Sequence, residues 1–141
     1  MGARQWHVAR AKHHLEVAEF LAVTYVDWAA VALFYSALQY VHSSLADEPG
    51  LRKDERHPRK HTAPAGEANG GRGINQLVRD LYPAIQIAYM SLFDASRRTR
   101  YDFDQLGHDQ VWPLLKAQHR VVVDYCVSLN GTRPPISTQS P

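Results

Sequence analysis

A single cysteine, Cys126, is all the thiol that this 141-residue chain carries. No intrachain disulfide can staple the fold, and a reducing compartment fits the composition. Cys126 sits in the apolar run VVVDYCVSL and reads as a packed core thiol rather than a nucleophile. The N-terminal stretch MGARQWHVARAKHH has no apolar core region, so no secretory signal is expected. Trp6 stands where acylation of a Met-Gly terminus needs Ser or Thr. The longest stretch without formal charge, residues 28–46, contains Ser36, Gln39, His42, Ser43 and Ser44. Each is costly in lipid, so this is a helix enclosed by other helices and not a membrane span. A cytoplasmic protein is expected.

Charge of one sign is also scarce. The net charge is +2, which by itself makes no case for a nucleic-acid partner. There is no Gly-rich phosphate loop, no carboxylate pair on a clear scaffold and no serine nucleophile elbow. The run Gly70-Gly71-Arg72-Gly73 is too short and lacks a preceding strand. Strand-type alternation and internal repeats are absent too, which leaves an all-α chain.

Helical periodicity is what remains. Ala11, Leu15, Ala18, Ala22 and Tyr25 make one apolar face of a first helix over about residues 4–23. Asp27 reads as the N-cap of a second helix. There, Trp28, Val31, Tyr35, Leu38, His42 and Leu45 form one stripe, and Ala30, Phe34, Ala37 and Val41 another. A helix apolar on two sides must be covered on two sides, so it belongs at the centre of a bundle. Asp47-Glu48-Pro49-Gly50 ends it. A Pro- and Gly-rich loop over residues 51–73 follows, then a short helix near Ile74 that Pro83 interrupts. A third long helix runs from Ile85 to near Asp102. The last begins around 109–113 and stops at Asn130-Gly131. The expected fold is one domain over residues 1–131, a bundle of four main helices with a long basic loop between helices 2 and 3. Residues 132–141 read as a disordered tail.

Charge is unevenly spread along this plan. Residues 50–100 hold ten Lys/Arg against five Asp/Glu, while the segments on either side are slightly acidic. A positive potential is therefore focused on one part of the surface. Arg52, Arg56, Arg59 and Lys60 in the loop, and Arg97, Arg98 and Tyr101 at the end of the third helix, are candidate phosphate contacts, because guanidinium presents a planar donor fork and Lys a point charge. Pure structure explains part of the second cluster. Cations favour a helix C-terminus, and Asp94 stands four residues before Arg98. His57 and His61 have Pro58 between them, which opposes a helical metal pair, so no metal and no cofactor are expected. Among the other histidines, His42 reads as a satisfied core residue, His13, His14 and His119 as surface residues, and His7 as lying near a frayed end.

Phe34-Tyr35-Ser36-Ala37, His57-Pro58-Arg59-Lys60-His61 in the loop, Tyr89 with Leu92, and Ser96-Arg97-Arg98-Thr99-Arg100-Tyr101 together resemble the HEPN superfamily over residues 8–130. The resemblance implies a bundle of four to five helices, frequently a homodimer. It also implies a role beside nucleic acid or nucleotides, as ribonuclease toxins, defence components or partners of nucleotidyltransferases. Ribonuclease members resemble one another through an Arg followed, after four to six residues, by a His at the start of the last long helix. Here Arg100 and His108 are separated by seven residues, and Arg52/His57 and Arg56/His61 have the spacing but lie in the loop. The leading expectation is a HEPN-like domain that binds a nucleotide, RNA or a protein partner through its basic face, as part of a toxin–antitoxin or defence system. A metal-independent endoribonuclease using His57, His61, Arg100 and His108 is the second, and a structural interaction module the third.

Overall fold

Alanine and serine set how closely the first two helices approach. In the computed structural model, which describes residues 2–59, 61, 71–102 and 108–136, α1 (Ala3–Ala22) buries Ala3, His7, Ala11 and Ala18 along one face. It packs against α2 (Val26–Leu45), which places Ser36 so near α1 that its hydroxyl donates to the Ala11 carbonyl at 2.8 Å. Only a residue without side-chain bulk at position 11 leaves that carbonyl within reach. The pairs His7–Gln39, Ala11–Ser36 and His14–Tyr35 show that the two helices run antiparallel.

Fourteen of the twenty residues of α2 are buried, so it is covered on more than one side. The expectation of a central second helix is met. A short α3 (Lys53–Arg56) follows, then α4 (Ile74–Leu81) and a 3-10 turn at Pro83–Ile85. Next come α5 (Gln86–Arg97), a π-helical turn at Arg98–Asp102 and α6 (His108–Gly131). No strand occurs among the described residues, and none of the helices is long and apolar enough to cross a membrane. Besides α1, α2 packs against α5 and α6, and those two touch each other. Phe34, fully buried, sits among the rings of Tyr89 and Phe93 of α5, and Leu33, Val41, Leu77, Val78, Leu92 and Val122 complete the same core.

Two local expectations need correction. Asp27 is not the N-cap of α2, because Tyr25 holds that position; the Asp27 carboxylate instead accepts from the Trp28 amide at 2.9 Å inside the first turn. The loop after α2 contains α3, which is fixed by its side chains. Arg56 donates to the carbonyls of Ala46, Glu48 and Leu51, and Glu55 accepts from both the amide and the side chain of Arg72. Arg56 thereby ties α3 to the turn that follows α2, whose carbonyls have no helical partner. Replacing it by Met should cost about 1–3 kcal/mol in a urea titration; an unchanged midpoint would show that water satisfies those carbonyls equally well. The start of α6 at His108 agrees with its expected place around 109–113, and Pro113 falls inside the helix.

Of the segment read as a tail, residues 132–136 are described and specifically held. Arg133 donates to Glu48 at 2.5 Å and to the Ser44 carbonyl at 2.8 Å, and the Ile136 amide donates to Asp47.

Candidate functional site

Tyr35, Gln39 and His42 are four and three residues apart, which puts them on one stripe of α2 facing α1. His7 and His14, two turns apart on α1, meet that stripe. The His7 Nδ1–H donates to Gln39 Oε1 at 2.7 Å, and the His7 ring stacks on His42 with centroids 5.1 Å apart and planes 14° apart. His57, just past α3, stacks on the other side of His7 at 6.1 Å, and Trp6 meets His7 edge-on at 5.1 Å. His14 lies 6.0 Å from the Tyr35 ring.

The same seam continues to the end of α5. His61 rests against Phe34 and Phe93, with centroids at 5.7 and 5.2 Å, and its carbonyl accepts from the Asn75 amide at the start of α4. Arg100, in the π-helical turn, places its guanidinium 5.9 Å from the centre of the Tyr35 ring. It also donates to the Tyr35 hydroxyl at 3.3 Å and to Ser96 Oγ at 3.0 Å. Burial lowers the His61 pKa from its ordinary value, and the positive charge of Arg100 adds to the effect. Helices α1, α2 and α5, with the residues around α3, thus bring five imidazoles and one guanidinium to a single seam.

Every imidazole of the seam is held neutral at pH 7. Burial pushes His42 down to about 3, with His7, His57 and His61 adding to the effect. Burial also lowers His7 against its Gln39 hydrogen bond. It lowers His57 together with Arg56 and Lys53, and His61 together with Arg100. The buried atoms His7 Nε2, His42 Nδ1, His57 Nδ1 and His61 Nδ1 have no hydrogen-bond partner among the described residues. Nor do Asn75 Oδ1 and the Tyr89 hydroxyl beside them. No group of three or more His, Cys, Asp or Glu among the described residues is placed to hold a metal ion.

The candidate phosphate contacts separate into classes. Arg56 is turned inward onto backbone carbonyls, and Arg52 lies 3.3 Å from Asp54. Arg59, Arg97 and Arg98 are exposed, with Arg97 over the Phe93 ring at 5.9 Å. Asp94 and Arg98 are both exposed. Lys60 lies outside the described residues, as do the side chains of Tyr101 and His108. The structure brings His57 and His61 into the seam that ends at Arg100.

Two histidine readings are corrected. His7 is buried, not frayed. His119 is buried on the inner face of α6, where its Nε2 lies 2.9 Å from Ser36 Oγ. Since the Ser36 hydrogen is given to Ala11, His119 carries its proton on Nε2 and donates. This Ser–His pair is wholly enclosed, so it braces α1, α2 and α6 and is no hydrolytic site. His42 packs inside as expected but is not satisfied there: it stacks on the His7 ring, and its Nδ1 has no hydrogen-bond partner among the described residues. The sequence reading missed the part played by His7, Tyr35 and Ser96. The available signal was the seven-residue interval from His7 to His14, matching the Tyr35–Gln39–His42 stripe. Cys126 is buried, and burial pushes its thiol up to about 12, so it is inert.

Set against family models, curated proteins and solved structures, the chain matches none.

Proposed function

We propose that this chain is a HEPN-like bundle of four main helices that binds single-stranded RNA, with Arg100 and His61 gripping a phosphodiester and Arg97 and Arg98 extending the contact. The observation that carries this reading is the convergence of His61, packed on Phe34 and Phe93, and Arg100, packed on the neighbouring Tyr35. Two segments 39 residues apart in sequence supply a neutral donor–acceptor ring and a fixed cation to one place. Arg97 and Arg98 stand exposed within one turn of it. Tyr35 orients the guanidinium, and Phe34 with Phe93 holds the imidazole.

Phosphate contacts make affinity depend on salt, with a logarithmic slope of about −0.7 per contact for single strands. Three arginine contacts give a slope of about −2, so binding should weaken by about 20-fold between 50 and 200 mM salt. Fluorescence anisotropy with a labelled oligoribonucleotide measures this. Arg100→Gln should weaken binding and make the slope shallower by about 0.7. Absence of binding at 50 mM salt and tens of micromolar protein would remove the reading.

A second reading, metal-independent RNA cleavage, is favoured by one observation. A neutral imidazole suited to act as base stands beside a cation suited to stabilise phosphorane charge. RNA incubated with the protein in EDTA should then be cut, with the rate falling by about 100-fold or more in His61→Asn. Intact RNA at high protein concentration excludes cleavage and leaves binding in place.

A further inference from the structure

One stripe of α1 reaches the seam from outside. Trp6, Arg10, His13 and His14 recur at spacings of four and three, which aligns them along one side of the helix. The Arg10 guanidinium lies over the half-buried Trp6 ring, 5.6 Å from its centre, and the Arg10 side chain is exposed. His14 stands one turn further on, 6.0 Å from the Tyr35 ring, and Tyr35 carries the Arg100 guanidinium at 5.9 Å. Burial holds His14 below its ordinary value, with the charges of Arg10 and His13 adding to the effect, so the ring is neutral at pH 7. Rings and guanidinia therefore alternate from Trp6 through Arg10, His14 and Tyr35 to Arg100. The stripe also has a sign. The positions three and four residues from Arg10 are Trp6, His7, His13 and His14, none of them acidic. Glu16 and Glu19 are the carboxylates of α1. At about 100° per residue they are turned about 120° and 180° away from Arg10, and Glu19 is paired with Lys116.

A guanidinium seated on an indole face keeps its N–H edge for a phosphate, while aromatic faces and the guanidinium plane take bases. Sequence-tolerant binding of single strands uses this combination, with cations tracking the backbone and flat rings receiving successive bases. We propose that Arg10 is a second phosphate subsite of the RNA site, and that Trp6 and His14 stack the bases between it and Arg100, so that one strand crosses α1 onto the seam. The inference rests on the RNA-binding reading and extends it from a single grip to a path. It adds Trp6, Arg10 and His14 to the contacts already named, all three on a helix that lies far in sequence from the arginines of residues 97–100.

A labelled 2′-O-methyl oligouridine of about ten nucleotides is the probe, because it cannot be cut through the 2′ oxygen. Its affinity is read by fluorescence anisotropy from 50 to 200 mM salt. A fourth cationic contact steepens the logarithmic slope from about −2 to about −2.8, a loss of about 50-fold across that range. Arg10→Gln should return the slope to about −2. Trp6→Leu should weaken binding by about tenfold with the slope unchanged, because a lost base stack releases no counterion. Lys12→Gln, exposed on the side of α1 shared with Arg4 and Val8, should change neither quantity. Each variant is checked for helicity by circular dichroism. A slope of about −2 that Arg10→Gln leaves as it is would overturn the path while RNA binding stands. So would a slope that Lys12→Gln lowers as much as Arg10→Gln does, or an unchanged affinity in Trp6→Leu. No binding at 50 mM salt would overturn both.

Discussion

Replacing Arg4 by methionine should lower stability by about 3–5 kcal/mol, a large share of what a domain of this size possesses. The Asp47 side chain just beyond α2 is fully buried, and the Arg4 guanidinium meets it directly. The same guanidinium donates to the carbonyls of Asn130 at 2.9 Å and Arg133 at 2.8 Å. A methionine fills a similar volume but leaves a carboxylate in a low-dielectric site without its cation, and removing one partner of a buried pair costs far more than the pair itself contributes. Urea denaturation of the two proteins gives the difference. The double variant Arg4→Met/Asp47→Asn should recover part of the loss, because it removes the stranded charge. A single-variant loss below about 1 kcal/mol would mean that water already screens Asp47.

Acid should destabilise the protein from about pH 6.5 downward, before its carboxylates begin to titrate. His42 is held down to about 3 and His119 to about 4, both chiefly by burial. Their unfolded values are the ordinary 6.5, so between pH 6.5 and about 4 the unfolded chain binds more protons than the folded one. Stability then falls as pH falls. Each histidine removes about 1.4 kcal/mol per pH unit in that window, which makes about 5 kcal/mol for the two together at pH 4.5. Burial lowers His7 in the same direction. Circular dichroism against pH should show cooperative loss of helix between about pH 5 and 4. His119→Gln keeps a donor for Ser36 and removes one titrating ring, so it should cut the slope at pH 5.5 by about a third to a half. Stability that stays flat from pH 7 to 5 would show that these rings are hydrated in solution.

The helices were legible because they depend on local periodicity. Ile74, Leu77 and Val78 announce α4, Pro83 its interruption, Asn130-Gly131 the end of α6, and the two apolar stripes the enclosure of α2. The histidines were not legible, since burial of a ring is decided by a partner distant in sequence. His119 meets Ser36 from 83 residues away, and His7 meets Gln39 from 32. Residue type and position alone put His119 on the surface and His7 near a frayed end. The arginines show the same divide. Arg56 and Arg59 are equivalent in a basic run, yet the first holds the turn after α2 and the second faces water. Spacing in a loop gave no means of telling them apart, while the short helix α3 does.

The three arginines near the end of α5 differ because of the wide turn that holds them. A residue added to one helical turn shifts the angular phase of all that follows. Here Arg100 is directed at Tyr35, and Arg97 and Arg98 are left outside. Helix pitch at that point therefore acts as a selector. Shortening residues 98–102 by a single position would rotate a different side chain toward the tyrosine, with no change in the amino acids present.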